Sequence, residues 1–449
     1  MSNQTSLFSD TPINKAVLQL AIPAVITQLI TVAYNMADTF FIGQIGNPKQ
    51  VAAVSICLPI YMVTTGISNV FGIGGASLIS RCLGNGNNDK VKFVSSSSFW
   101  NGILFAILYS VFVLVVNRKL LYFCGCDDEV YEFAKIYSFW TVIVGAVPTL
   151  INSLLSHFVR AEGYSKEASF GVAFGAVLNI CLDPIFILVL RMDIMGAALA
   201  TSISNIIAAV YYIVFVFKTK SLSLSLNIKH YCTDKDMIAE IILVGFPSFL
   251  MNTLAVCSNI VLNRLLSMYC NEAIAGAGIA KKIDSLMYAL SNGISQGVLP
   301  LIGYNYSSKN YERFEKSIKS TLKLSLTITT ISSLLLFFGA KYIISFFIDD
   351  YLTIYYGSII QRIICVTGPL SSVTTITIVC YQAMGQKLKP AILSLLRKGA
   401  LDIPTMILMN KAIGVFGIAL GIPIADFGAM LVSLFFIQDI KEKIRSDKI

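Results

Sequence analysis

Residues 178–188 read LNICLDPIFIL, an apolar stretch that contains Asn179, then Asp183 four positions later, and Pro184 directly after the Asp. The apolar character extends over residues 167–190, which is long enough for a helix to cross the hydrocarbon core of a membrane. A carboxylate inside such a span is costly, so an acidic residue there is first interpreted as a functional residue. This stretch therefore predicts both a membrane helix and a site within it.

The rest of the chain has the same composition as this stretch. Of its 449 residues, 55% are hydrophobic and 13% are charged, whereas about a quarter are charged in ordinary soluble domains. Twelve apolar stretches long enough to span a membrane are predicted at 15–43, 52–80, 94–117, 134–157, 167–190, 194–217, 237–265, 273–302, 317–340, 357–383, 389–410 and 413–438. The predicted fold class is an all-α integral membrane protein.

The sequence contains an internal repeat, as transporters often do. Ala21-Ile22-Pro23 recurs as Gly245-Phe246-Pro247. Three further matches at nearly the same offset pair 51–54 with 274–277, 160–163 with 382–385, and 195–200 with 416–421. We therefore predict two pseudo-symmetric six-helix lobes, 1–217 and 237–449, around a central cleft, with a polar and basic linker at 218–236. Because each lobe has an even number of spans, both copies enter the membrane from the same side.

The charges indicate how the chain is oriented. Most of the 34 Lys and Arg residues lie in short segments on the side of the N-terminus, which predicts that both termini are cytoplasmic. The basic residues are divided among these short segments, so we do not expect nucleic-acid binding despite the net charge of +9. The N-terminal stretch has no basic n-region or cleavage site, so we expect no signal peptide.

Five Asp residues lie within predicted spans: Asp38, Asp183, Asp284, Asp402 and Asp426. At ~1.5 Å of rise per residue, Asp38, Asp183 and Thr201 all come within roughly 6 to 11 Å of the outer surface, so they are predicted to meet in the N-terminal lobe. Helical spacing adds three candidate ligands for a cation, because Tyr34 and Asn179 lie four residues before the two acids and Asn205 lies four residues after Thr201. Asn35 is a further polar candidate beside Tyr34. Such an all-oxygen site suits Na⁺ at Asp38 and Asp183, and it equally suits a proton. The alternative is that the two acids are separate structural residues.

The three other acids have weaker signals. Lys281 precedes Asp284 by three positions and Lys398 precedes Asp402 by four, so each pair is able to neutralise itself. Asp426 has no cation at helical spacing and is predicted to line the C-terminal lobe. Candidate substrate-binding residues are Met36, Asp284, Tyr288, Tyr381 and Asp426, because Met, aromatic and acidic side chains suit varied organic cations. Pro23 and Pro184 are candidate hinges.

Three long stretches of the sequence resemble a known family. They are YNMADTFFIGQIG at 34–46, AAVSICLPIYMVTTGISNVFGIGGASLISRCLGNGN at 52–87, and GIAKKIDSLMYALSNGISQGVLPLIGYNYSSKNYERF at 278–314. The chain resembles the multidrug and toxic compound extrusion (MATE) family, most of all its MepA-like branch. The resemblance implies a bacterial cytoplasmic-membrane antiporter that exports organic, often cationic and aromatic, compounds against an inward flow of H⁺ or Na⁺. It also implies that Asp38, Asn179 and Asp183 form the cation site, with Tyr34 and Thr201 as associates.

Other functions were weighed against drug export. A lipid-linked oligosaccharide flippase of the same superfamily is the main alternative, since Lys281, Lys282, Arg397 and Lys398 are cations suited to a pyrophosphate group. The chain lacks HExxH, GxSxG and P-loop motifs, so we do not expect an enzyme. We expect no cofactor other than the coupling ion, contact with membrane lipid, and function as a monomer.

Overall fold

The computed structural model describes residues 5–220 and 222–446, and every regular element in this part of the chain is helical. The helices are α1 (Thr5–Ser9), α2 (Ile13–Gln44), α3 (Pro48–Gly84), α4 (Asn88–Phe123), α5 (Asp128–Ser138), α6 (Ala146–Ala161), α7 (Ser165–Pro184), α8 (Asp193–Lys218), α9 (Lys235–Leu266), α10 (Asn271–Ser307), α11 (Tyr311–Phe347), α12 (Tyr351–Ile364), α13 (Thr367–Ala383), α14 (Leu388–Leu395), α15 (Asp402–Ile413) and α16 (Val415–Ser446). Three π-helical stretches, Phe139–Val144, Ile185–Val189 and Leu396–Ala400, and a 3₁₀ turn, Ile228–His230, complete the set.

Half of these sixteen helices are long and apolar enough to cross a membrane on their own. Among the described residues eight helices meet this condition alone, and ten spans result when each of two bent pairs counts as one. The protein is therefore a multi-pass membrane protein. The two remaining predicted spans, α10 and α14–α15, both contain charged residues: Lys281, Lys282 and Asp284 in the first, and Arg397, Lys398 and Asp402 in the second.

Two predicted spans are bent rather than straight. The segment Asp128–Val144 meets Ala146–Ala161 at 46°, and Tyr351–Ile364 meets Thr367–Ala383 at 41°. Both were predicted as single stretches, because apolar composition is the same on the two sides of a bend. The π-helical turn Phe139–Val144 immediately precedes the first bend, which is a common cause of such a change of direction.

The described chain forms two compact units. The N-unit comprises Leu29–Phe249 and the described residues before Thr11, and the C-unit comprises Thr11–Gln28 and the described residues from Leu250 onward. The first half of α2 therefore belongs to the C-unit, although most of the C-unit comes from the second half of the sequence. The first half of α9 belongs to the N-unit. This division follows packing contacts, so the lobe boundaries at 217 and 237 stay a prediction from the repeat.

Glycines allow α3 to pack closely against α9, and α10 to pack closely against α2. A Cβ on Gly74 of α3 would lie 2.0 Å from the Ile241 carbonyl oxygen of α9, and a Cβ on Gly297 of α10 would lie 2.6 Å from the Leu20 carbonyl oxygen of α2. Since no side chain fits in these gaps, the backbones of each helix pair are in direct contact. This contact fixes the first half of α9 in the N-unit and the first half of α2 in the C-unit.

The linker lies along α4. The serines at 95–97, near the start of α4, are buried, and their hydroxyls form hydrogen bonds with the linker backbone. The hydrogen bonds join Ser95 Oγ to Ser225 O (3.1 Å) and Ser225 N (3.0 Å), Ser96 Oγ to Asn227 O (2.8 Å), Ser97 Oγ to Cys232 O (3.2 Å) and Cys232 N (2.9 Å), and Trp100 Nε1 to Leu226 O (3.1 Å). The polar composition predicted an aqueous linker, and the structure adds that it is bound to the N-unit.

Candidate cation site

Asp183 lies near the end of α7, and its side chain is fully buried. Asn179, one turn earlier, is also buried and presents its amide to the same face. With the amide oriented to satisfy its neighbours, its nitrogen donates to Asp183 Oδ2 (3.1 Å) and its oxygen accepts from the Thr201 backbone N–H (3.1 Å). Asn179 therefore links the carboxylate on α7 to α8.

Asp38 on α2 is the second carboxylate of this site. It lies within electrostatic range of Asp183, and Tyr34 lies near both acids and beside Thr201. The Oδ1 atoms of Asp38 and Asp183 are buried and have no hydrogen-bond partner among the described residues. Buried carboxylate oxygens without partners are costly, so this pair needs a proton or a cation.

The site borders a cavity of about 140 Å³ inside the N-unit. Its lining combines predicted and unpredicted residues: Thr31, Tyr34, Tyr61, Asn152, Val172, Gly175, Ala176, Asn179, Thr201, Ser204 and Asn205. Asn205 accepts from Asn152 Nδ2 (2.9 Å) and donates to the Thr201 carbonyl oxygen (3.0 Å). Four predicted residues, Tyr34, Asn179, Thr201 and Asn205, thus line one cavity.

Two predicted residues next to Tyr34 do not line it. Asn35 is exposed and Met36 is half-buried, and neither lines the cavity. A helix turns about 100° per residue, so the residues directly after Tyr34 point away from the side that Tyr34 and Asp38 share. The structure gives no support to Asn35 as a cation ligand or to Met36 as a lining residue of this cavity.

Tyr61 and Asn152 were missed by the sequence interpretation. Both line the cavity, Tyr61 from α3 and Asn152 from α6. Asn152 is a polar amide within the predicted span 134–157, and this position alone indicates a candidate site residue. Tyr61 has no such signal, since aromatic residues are common in membrane helices.

Two of the three candidate acids of the C-unit, Asp402 and Asp426, are paired with cations. Arg397 Nε donates to Asp426 Oδ1 at 2.8 Å, and both side chains are buried. Lys398 Nζ lies 3.6 Å from Asp402 Oδ2, as helical spacing predicted, and the Ser258 hydroxyl donates to the same oxygen at 2.7 Å. Asp426 is therefore not a free carboxylate, because Arg397 on another helix neutralises it.

The remaining candidate residues of the C-unit differ in their surroundings. Asp284 accepts a long hydrogen bond from Thr367 (3.4 Å), and the Arg397 guanidinium lies 5.8 Å from the centre of the Tyr288 ring. Tyr381 is fully buried, and its hydroxyl donates to the Phe436 carbonyl oxygen at 2.8 Å and lies 3.0 Å from Asp439. Tyr381 is thus packed and hydrogen-bonded within the C-unit, which gives no support to a role in substrate binding.

The two candidate hinge prolines lie inside helical segments. Helix α2 runs through Pro23, and the Thr27 hydroxyl donates to the Pro23 carbonyl oxygen at 2.9 Å. Pro184 ends α7 and is followed by the π-helical stretch Ile185–Val189. A π-helical turn often lies at a functional site, and here it directly follows Asp183. The role of either proline as a hinge stays a prediction.

A family model described as MatE matches residues 23–185 and again residues 247–408. The chain belongs to the MatE family. The two matches begin at Pro23 and Pro247, the two prolines that the sequence repeat pairs, so the internal duplication is confirmed. The resemblance inferred from the three motifs is confirmed as well.

Relatives of this MatE chain cover its whole length. It is 29% identical over 445 residues to the multidrug export protein MepA of Staphylococcus saprophyticus, covering 99% of this chain and 98% of the relative. It is also 29% identical over 444 residues to the MepA protein of Staphylococcus aureus strain N315, covering 99% and 98%.

Solved structures confirm the fold of the MatE chain. A multidrug resistance MATE family transporter in an outward-facing conformation superposes with a TM-score of 0.94 at 22% identity, covering 99% of both chains. A MATE in a straight conformation also gives a TM-score of 0.94, at 21% identity, covering 99% of this chain and 100% of that one. The predicted twelve-helix fold is thereby confirmed.

The N-unit site of this MatE chain is chemically suited to a hard monovalent cation or a proton. Carboxylate, amide and hydroxyl oxygens are the ligands that hard cations prefer. Two carboxylates with orphaned buried oxygens supply the charge, and Asn179 and Thr201 supply neutral polar groups beside them. The residues present therefore fit Na⁺ and H⁺ alike.

Proposed function

We propose that the protein is a secondary active multidrug efflux transporter that exports organic, often cationic and aromatic, compounds by antiport with H⁺ or Na⁺. The relatives named as multidrug export proteins support the export of drugs. The observation that carries the coupling is the pair of Asp38 and Asp183, whose buried Oδ1 atoms lack partners among the described residues. The proposed location is the bacterial cytoplasmic membrane, with both termini in the cytoplasm, and the proposed role is not enzymatic.

In this proposal the coupling ion exchanges at the N-unit site. Binding of the ion satisfies Asp38 and Asp183, and loss of the ion leaves two buried like charges close together, which is unfavourable. Asn179 holds Asp183 toward α8, and Tyr34 and Thr201 complete the polar wall. The ion occupancy thus decides the charge of the cavity.

The flippase alternative receives less support. A cavity for pyrophosphate requires free positive charge, whereas Arg397 is paired with Asp426 and Lys398 lies beside Asp402. Lys281 interacts electrostatically with three aspartates, Asp284, Asp402 and Asp426. The pairing of Arg397 and Lys398 leaves less free positive charge for a pyrophosphate group, which favours drug export over the transport of a pyrophosphate lipid.

The test is ethidium efflux from proteoliposomes with an imposed Na⁺ or H⁺ gradient. The Asp183→Asn variant removes the charge and keeps the shape, so we expect coupled efflux to fall at least tenfold. The matched control is Asp193→Asn, an exposed aspartate ten residues further along the chain, which should leave efflux unchanged. Undiminished efflux in Asp183→Asn contradicts the coupling role, and movement of a lipid-linked precursor without ethidium movement favours the flippase.

A further inference from the structure

The internal repeat gives the N-unit cavity a counterpart in the C-unit. Helices α6 and α13 both end before a glycine in the left-handed conformation, Gly163 (φ 94°) and Gly385 (φ 76°). Gly175 lies twelve residues beyond Gly163, and Arg397 lies twelve residues beyond Gly385. The small side of the N-unit cavity, Gly175 and Ala176, therefore corresponds to Arg397 and Lys398.

Other lining positions follow the same rule. Three more lining residues have counterparts when each is placed at the same number of residues from the nearest pair of repeated positions. The pairs used are Pro23 and Pro247, Ala53 and Gly276, and Gly196 and Gly417. Tyr34 corresponds to Ser258, Tyr61 to Asp284, and Asn205 to Asp426. Five positions around the N-unit cavity thus have counterparts in the C-unit, and four of these counterparts are charged. The carboxylates Asp38 and Asp183 themselves correspond to Leu262 and Thr405.

The acids of the N-unit cation site and the acids Asp402 and Asp426 of the C-unit differ in whether a Lys or Arg side chain is paired with them. In the N-unit no Lys or Arg among the described residues forms an ion pair with Asp38 or Asp183. In the C-unit Arg397 Nε donates to Asp426 Oδ1 at 2.8 Å, and Arg397 Nη1 donates to Thr375 Oγ1 at 3.1 Å. Lys398 Nζ lies 3.6 Å from Asp402 Oδ2. The side chains of Arg397, Asp402 and Asp426 are at most 4% exposed.

We propose that the Arg397 guanidinium and the Lys398 ammonium are built-in counter-ions, which occupy the C-unit counterpart of the cavity that borders the exchangeable cation site in the N-unit. Removing the Arg397 side chain turns this counterpart into a binding site for a small organic cation, guanidinium itself. The comparison of the two units rests on the proposed cation site of the N-unit.

The physical basis is the cost of an unpaired buried charge. Removal of one partner of a buried ion pair leaves the other charge uncompensated, which is strongly destabilising. With glycine at 397, the Asp426 carboxylate and the Thr375 hydroxyl face the space that the guanidinium filled. Free guanidinium offers the same planar donors, so it is able to restore both contacts.

The test measures binding and needs no transport. Full-length Arg397→Gly protein in detergent is unfolded by heat with guanidinium chloride at on the order of 10 mM, far below denaturing concentrations, or with equal NaCl. We expect a lowered unfolding temperature that rises by several degrees with guanidinium and not with NaCl. Wild type should show no rise, and the Arg397→Gly/Asp426→Asn double variant should lose the effect.

A second variant keeps the test informative if Arg397→Gly does not fold. Lys398→Ala leaves the Arg397 pair intact and should be stabilised by methylammonium, again not by NaCl. If neither variant gains stability from its cation, or if the double variant gains as much as Arg397→Gly, the proposal is wrong. These results do not depend on the efflux of Asp183→Asn, so failure of the N-unit assignment is recognised separately.

Discussion

Glu162 is a buried carboxylate outside the membrane spans, in the turn between α6 and α7. It is 5% exposed and accepts a hydrogen bond from the Ser223 N–H of the linker at 3.0 Å. Burial raises the pKa of Glu162 from 4.5 to about 7. The folded protein therefore keeps this proton at pH values where the unfolded chain has lost it.

The pH dependence follows from that shift. The stability due to the Glu162 proton is fully present below about pH 4.5 and is lost as the pH rises through about 7. Glu162→Gln keeps an acceptor for Ser223 but cannot ionise, so its advantage in unfolding temperature over wild type should grow between pH 5 and 8. Thermal unfolding across this range tests it, with exposed Glu132→Gln as the control; a constant difference contradicts the prediction.

Single residues could be predicted where depth and helical phase decide their position. The meeting of Asp38, Asp183 and Thr201 followed from depth alone, and Asn179 and Tyr34 followed from their helical spacing to the acids. Asn35 was included only as a sequence neighbour, and helical rotation turns it away. The partner of Asp426 could not be predicted, because Arg397 lies on another helix and only tertiary packing brings the two together.

At the scale of helices, the glycine contact between α3 and α9 gives a sharp prediction. A methyl group on Gly74 would lie 2.0 Å from a backbone oxygen of α9, which has no rotamer by which to move away. Gly74→Ala should destabilise the N-unit by about 1 to 3 kcal/mol or more, as overpacking does. The lowered unfolding temperature in detergent is the measurement.

The control for this prediction is Gly278→Ala. Gly278 lies in the interior of α10 with nothing within 4 Å of a Cβ built on it. Alanine favours a helix by up to about 1 kcal/mol over glycine, so this variant should be as stable as wild type or slightly more stable. Equal losses in both variants would show that close approach at Gly74 is not the cause.

The existence of the helices was predictable, and their limits and bends were not. Apolar stretches mark the hydrocarbon core, whereas α4 and α11 continue beyond it in both directions, so the predicted ends 94–117 and 317–340 fall short of Asn88–Phe123 and Tyr311–Phe347. The bend between α12 and α13 lies directly before Gly368-Pro369, a helix-breaking pair that hydropathy alone does not register, so the stretch 357–383 was predicted as one span. The π-helical stretches depend on packing between helices.

At the scale of the whole molecule, the linker is held against α4 by hydrogen bonds in addition to its place in the chain. The serine run of α4 holds its backbone, and Arg81 Nη1 of α3 lies 2.7 Å from Glu240 Oε1 of α9. We expect a chain divided after Lys220, and coexpressed as two fragments, to assemble and to transport. Copurification of a tagged first fragment with the second is the measurement.

The control for the divided chain is the same pair of fragments with Ser95, Ser96 and Ser97 changed to Ala. These changes remove the hydroxyls that bind Ser225, Asn227 and Cys232, so the yield of the complex should fall. If the serine variants copurify as well as the unmodified fragments, the linker contacts contribute nothing to assembly.

The exchange of helix halves between the two units sets a rule for recombination. Thr11–Gln28 packs with the C-unit although it is encoded at the start of the chain, and the first half of α9 packs with the N-unit. A chimaera joined at the linker therefore brings together foreign surfaces at the Gly74 and Gly297 contacts. Crossovers that keep residues 11–28 with the second half of one parent, and 235–249 with the first half of the other, preserve every native glycine contact.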